Sequence, residues 1–483
     1  MSAARNLRRR ARRELRLPGR RKESGFTLVE LLVSMVAGLM VALAVVAMSR
    51  EASGTFHEET RIAGAQMQIR AAMDRLRADV ARASFMSTGN IWIDPMIPTG
   101  AGTVMNVAQI TAISNSNHMS IQSLAGIRLF SGGSALATPG SAVNGVSPDA
   151  IEIAGNMTSV YELAIGGATG TTSPVVAGAG CNGGGQRVYL DVDSSPSLWL
   201  LVGMQTVGGD AGTSGTPAAY ATALNNVFQP VAGAQFIVRI VDSNGKSQYA
   251  ATCATQAAGW NVVGTNNQPY VDLDSTTPVT MSGTGGNTAT INPVQIVRWQ
   301  IEPGIVGFAG DAGGDSTKYD LTRQYLDFKG NALAASKEVV GEYVADLKFA
   351  FTVDNTNLTT GNFPSSTASS QVVLSLEDST TNAAVAGDVT KETINAPTTS
   401  LTPAQTDLSG PQPQRIRSVR VRLVTRAETP DRGEPLDAGA GYLYRYCTAT
   451  SASGCVAGAN VFARTRTLIT EVALPNQARF WYR

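Results

Sequence analysis

The sequence predicts an α+β protein in which a long N-terminal helix, membrane-spanning in its first part and amphipathic in its second, packs on a mainly antiparallel β-rich globular domain with long Gly/Ser/Thr-rich insertions. Three observations carry this. Between Phe26 and Met48 the only ionisable side chain is Glu30. From Ile62 to Ala83 apolar residues recur at helical spacing. Beyond Thr88, short runs of β-branched and aromatic residues alternate with stretches of Gly, Ala, Ser, Thr and Asn.

Residues 1–25 form a basic leader. Arg5, Arg8, Arg9, Arg10, Arg12, Arg13, Arg16, Arg20, Arg21 and Lys22 face only Glu14 and Glu23. Residues 26–48 follow, apolar on every face through Leu28, Leu31, Leu32, Val33, Val36, Leu39, Val41, Leu43 and Val46. At about 1.5 Å per residue such a run crosses the roughly 30 Å hydrocarbon core as a helix. The positive-inside bias keeps the leader cytoplasmic and sends the rest of the chain outward. A secretory signal peptide would place small residues for cleavage after its apolar region, whereas here Gly25 precedes it.

Glu30 needs compensation, because a carboxylate near the centre of a spanning helix costs roughly 2.5 to 3.5 kcal/mol and less near the interface. Two arrangements supply it. The carboxylate sits at headgroup depth, or cleavage after Gly25 frees an amino terminus at Phe26 that pairs, in a neighbouring subunit, with Glu30. The basic leader, Gly25, Phe26-Thr27-Leu28-Val29-Glu30 and the apolar run resemble the class III signal of type IV pilins and pseudopilins. The resemblance implies that a prepilin peptidase removes residues 1–25, that Phe26 becomes a methylated N-terminus, and that Phe26 and Glu30 guide subunit docking. The leader is longer than many in that family, and the proline common midway in the helix of major pilins is missing. Both departures point away from the main filament subunit.

Residues 49–86 read as the amphipathic half of the same helix. Ile62, Ile69, Met73, Leu76, Val80 and Ala83 make one apolar stripe, with Arg61, Arg70, Asp74, Arg75, Arg77, Asp79 and Arg82 on the other faces. Acidic and basic residues alternate, which favours a seam for the protein's own sheet over a membrane-surface helix. His57 reads as a solvated helix residue, and Ser87-Thr88-Gly89 as the helix end.

Residues 87–290 are expected to form a β-rich ectodomain with insertions, and 291–483 a β-rich C-terminal region. Ile151-Glu152-Ile153, Arg187 to Leu190, Leu198 to Val202 and Phe236 to Val241 read as strands, the last followed by a turn at Asp242-Ser243-Asn244-Gly245. In the C-terminal region, Val297 to Ile301, Leu321-Thr322-Arg323, Val344 to Asp354, Ile416 to Val424 and Thr465 to Asn476 resemble, in order, the strands of PilW-type minor pilins and J-type minor pseudopilins. Strict alternation points Val419, Val421 and Leu423 to a core and Arg420 and Arg422 to the opposite face.

The cysteines, Cys181, Cys253, Cys447 and Cys455, all lie in the part expected to be exported, where oxidising surroundings favour disulfides. Three connectivities are possible. Cys447 with Cys455 would staple a small-residue loop, leaving Cys181 with Cys253.

No catalytic group, cofactor or metal is expected. His57 and His118 are the chain's two histidines, and His118 reads as a loop residue. Asp311 with Asp315 and Asp191 with Asp193 lack calcium-loop spacing and suit turns. A formal net charge of +1, which already includes the leader, gives no reason to expect nucleic-acid binding.

The resemblance implies a minor pilin of PilW type, anchored once in the inner membrane with a periplasmic ectodomain. It would join a priming or tip complex and could be displayed at the cell surface. Its partners would be other minor pilins, the major pilin, the prepilin peptidase, the membrane and the inner-membrane assembly machinery. A minor pseudopilin of a type II secretion system shares these motifs. A pilus-tip adhesin, using the insertions as binding loops, is the reading from a different class.

Overall fold

A computed structural model of the chain describes residues 27–91, 94–97, 118–130, 148–166, 174–191, 217–263, 266–275, 279, 289–303, 318–354, 371–374, 413–428, 443–445 and 462–478. The chain divides into two compact units, Met1–Ala63 and Gly64–Arg483, and helix α1 (Leu28–Ala81) contributes residues to both.

In the first unit, α1 is apolar all round up to Met48, save Glu30 in its first turn. Leu28–Ser53, 26 residues, is long and apolar enough to cross a membrane. Its large side chains, among them Leu32, Val36, Leu39, Leu43 and Val46, are all exposed. Among the described residues no protein core covers them, which is the pattern of a segment whose solvent is lipid.

In the second unit, the remaining turns of α1 bury Ile69, Met73, Leu76 and Val80 of the predicted stripe, with Ala72 beside them, and Ala83 just past the helix end is buried too; the Ile62 side chain lies outside the described residues. These residues enter one large core with apolar residues from two sheets. Asp79 corrects the sequence reading. It lies on the buried face, 5 % exposed, where Trp299 Nε1 donates to its Oδ2 at 3.0 Å and Arg323 Nε at 2.7 Å. Burial works against charge on the Arg323 guanidinium, but the Asp79 carboxylate outweighs it and holds that guanidinium above its ordinary range. The acid therefore acts as a clasp between helix and sheet.

The helix also ends earlier than expected, at Ala81. Ser84, at a positive φ of 59°, gives its N–H to Ala154 O at 2.8 Å, so the backbone leaves helical geometry to join a strand edge. That crossing is close. A Cβ on Gly155 would lie 2.2 Å from Arg82 O, so only glycine fits beneath the helix end.

The first sheet, with eight strands among the described residues, has the path β1 (Ile127–Phe130), β2 (Ala150–Gly155), β10 (Thr290–Pro303), β11 (Tyr319–Leu326), β12 (Glu338–Gly341). The first residues of β10 pair instead with β3 (Leu163–Ala164) and β6 (Ile237–Val241), and β6 pairs with β7 (Ser247–Ala251). All of these pairings are antiparallel, and strands from either side of residue 290 share the sheet. The turn after β6 is built as the sequence suggests: Asp242 Oδ1 accepts from the N–H groups of Asn244 and Lys246, and Gly245 has φ 77°.

A second sheet runs β14 (Gln371–Leu374), β13 (Val344–Asp354), β15 (Ile416–Arg426), β17 (Phe462–Ala473), β16 (Leu443–Arg445). Val419, Val421 and Leu423 are buried under α1 and the first sheet, as alternation requires. On the outer face Arg422 pairs with Asp346 at 3.0 Å, and half-exposed Arg420 faces half-exposed Glu471 at 3.8 Å. Strand β17 stops at Ala473. Pro475 then opens a single helical turn, α3 (Pro475–Ala478), a position where its missing N–H costs nothing.

A third, four-stranded sheet runs β4 (Val175–Gly180), β5 (Gly185–Tyr189), β9 (Asn266–Leu273), β8 (Ala258–Val263). With helix α2 (Pro217–Phe228) and β6 it encloses a separate core that includes Tyr220, Leu224, Phe228, Val238, Val271 and Leu273. Helix α2 was not expected in a loop-rich insertion. Its sequence signal is present all the same, as Pro217 at the first position and Tyr220, Leu224 and Phe228 four apart on one face. A disulfide joins Cys181 to Cys253 across this region.

Candidate functional site

The start of α1 is a reciprocal cap. Thr27 N–H and Thr27 Oγ1 donate to Glu30 Oε2 at 3.1 and 3.0 Å, and Glu30 N–H donates back to Thr27 Oγ1 at 3.3 Å. Leu31 N–H then makes the first helical bond to Thr27 O at 3.1 Å. Two of the amide groups that every helix start leaves unpaired are thereby satisfied, in a position where the helix dipole favours an anion. Both bonds to the carboxylate use Oε2. Among the described residues Oε1 accepts nothing, so the acid can hold the cap and still receive a second donor. Within the apolar run, Ser34 Oγ–H donates to Leu31 O at 2.9 Å, so that hydroxyl is paired within the helix.

Residues 20–48 match the model of the prokaryotic N-terminal methylation motif. This is a type IV pilin-like prepilin signal. Within it the structure places Thr27 and Glu30 together at the helix start, while Gly25 and Phe26 lie outside the described residues. The prepilin signal and the span that it heads fit membrane anchoring of a type IV pilin-like protein. Comparison with curated proteins and with solved structures finds no match. The role of Thr27 went unread in the sequence, although Thr27-x-x-Glu30 before an apolar run is the signature of a capping box.

Away from the prepilin signal, Cys447 and Cys455 lie outside the described residues, as do Asp193, Asp311 and Asp315. His57 belongs to α1. Among the described residues no three His, Cys, Asp or Glu side chains gather as a metal site.

His118 is less isolated than its sequence context suggests. Its Nδ1 lies 2.7 Å from Glu152 Oε1 and 2.5 Å from Arg298 Nη1. Glu152, fully buried in β2, also accepts from Arg298 Nη1 at 2.9 Å and from Met119 N–H at 2.6 Å. Strand register explains the grouping, since Arg128 of β1 and Arg298 of β10 flank Glu152 on either side of the same sheet face. No local pattern announces it, because the partners come from positions 118, 128, 152 and 298.

Proposed function

We propose that the chain is a minor pilin of PilW type, working in the inner membrane and periplasm to prime type IV pilus assembly and remaining at the filament tip. The observation that carries this reading is the prepilin signal heading a capped apolar span, Leu28 to Met48, whose side chains no core covers among the described residues. Removal of residues 1–25 would expose the Phe26 amine. In a bundle of such helices that amine, on a neighbouring minor or major pilin, meets the free Oε1 of Glu30 and sets axial register. Lipid-facing side chains then exchange lipid for neighbouring helices, and the β-rich unit supplies lateral contacts. The mechanism is assembly without turnover, with no cofactor and no nucleic acid. The long basic leader and the absence of a proline midway in the apolar helix support a minor subunit rather than a repeating one.

The test is replacement of the native gene by variants. Gly25→Val should leave the leader attached, seen as a slower-migrating band, and abolish pili. Glu30→Ala should be trimmed normally yet fail to support filaments. Normal piliation with Glu30→Ala would defeat the docking role. Loss of protein secretion with intact pili on deletion would move the chain to a type II secretion system.

A further inference from the structure

The disulfide of the third sheet joins two unlike ends. Cys253 follows β7, is 1 % exposed, and gives its N–H to Asp272 O at 3.1 Å. Cys181, 72 positions away along the chain, is half-buried in the turn between β4 and β5. Its φ of 40° falls in the left-handed region, which a residue with a Cβ holds only where its surroundings force it. Gly178 and Gly183, at φ 75° and 92°, bend the chain on either side.

The two strands of this hairpin are secured unequally. Strand β5 pairs with β9 along its length, the Gln186 side-chain amide exchanges bonds of 2.9 and 2.6 Å with the backbone of Val279, and Arg187 forks onto Asp272 at 2.7 and 2.9 Å. Strand β4 pairs with β5 alone, and the register shifts between Ala177 and Gly180. Ala177, Gly178, Gly183 and Gly184 in the tip are exposed. Among the described residues no backbone hydrogen bond of the tip, 177–184, reaches another element; Gly184 N–H turns back to Cys181 O. The covalent bond to Cys253 is what ties the tip to the rest of the fold.

We propose that Cys181 is a thiol-exchange site, open to the thiolate of a small-molecule thiol. Access decides which sulfur of a disulfide is attacked. The incoming thiolate bonds to the Cys181 sulfur, the bond to Cys253 breaks, and its electron pair leaves on the Cys253 sulfur, which takes a proton from water. A second thiolate then attacks the adduct's own sulfur, so that two protein thiols and one oxidised small-molecule disulfide result. With the bond cut, nothing holds Cys181 at its left-handed angle. The tip swings out, while β5 stays on β9 through its ladder, Gln186 and Arg187.

The experiment uses the full chain in detergent micelles with reduced glutathione as the probe. Brief exposure, acid quenching and peptide mapping should find glutathione on Cys181 and a free thiol at Cys253. Hydrogen exchange of residues 177–184 should then quicken by at least about tenfold, with β9 and β15 unchanged. Cys181→Ser should show the same acceleration with no thiol added, and glutathione should quicken its tip no further. Cys253→Ser leaves Cys181 as a free thiol, which glutathione disulfide should load with release of one reduced glutathione. A first adduct on Cys253 would overturn the assignment of Cys181. Unchanged exchange of the tip after reduction, or equal acceleration through all three sheets, would overturn the local release.

Discussion

The two parts of α1 solve the problem of burial in opposite ways. From Leu28 to Met48 the helix is apolar on all sides but for Glu30 in its first turn, and its large apolar residues lie exposed. From Ile69 to Val80 it is apolar on one stripe, and that stripe is buried in the core of the β-rich unit. One rod therefore carries two surfaces with different destinations. The stripe is satisfied within the chain, and the all-round surface requires a cover from outside it. The position of the acids follows the same division. Glu30 closes the helix start through Oε2 and, among the described residues, keeps Oε1 free, whereas Asp79 spends its Oδ2 on Trp299 and Arg323.

Four substitutions test that division. The largest effect is expected from Asp79→Ala, which leaves Arg323 buried without its partner and should cost about 3 to 5 kcal/mol in denaturant unfolding of the β-rich unit. If the loss were under about 1 kcal/mol, the clasp would be incidental. Leu76→Ala removes a fully buried side chain from the same stripe and should cost about 3 kcal/mol by the same measurement. Thr27→Ala breaks the capping box and should weaken the helix start by about 1 kcal/mol, read as faster hydrogen exchange of the first-turn amides in micelles. Leu39→Ala, in the apolar span, should change unfolding of the β-rich unit by less than about 0.5 kcal/mol. A larger loss would mean that this part of the helix is also covered by the chain.

What could be read from the sequence was what depends on near neighbours. The apolar run, the stripe at 69, 73, 76, 80 and 83, and the alternation of Val419, Val421 and Leu423 are all local periodicities, and the structure contains each of them. Asp79 was placed on the outer face because its helical position lies among charged neighbours. Its burial is decided by Trp299 and Arg323, 220 and 244 positions away. The helix end failed for a similar reason. Ser84 turns toward Ala154, a strand partner that no capping rule within the helix announces. The Thr27–Glu30 cap and α2 are different cases, since their signals were in the sequence. The Thr27-x-x-Glu30 spacing marks the cap, and Tyr220, Leu224 and Phe228 at four-residue steps after Pro217 mark the helix, even within a loop-rich composition.

Asn476 Nδ2 donates to Ala81 O at 3.1 Å, and Val472 and Leu474 belong to the core that α1 joins. A segment translated 395 positions after Ala81 thus seals the end of the helix. Throughout synthesis the greasy seam of the nascent rod must wait for its lid. A premature stop before Val472 would leave the hydrophobic interior unclosed and expose the polypeptide to quality-control proteases.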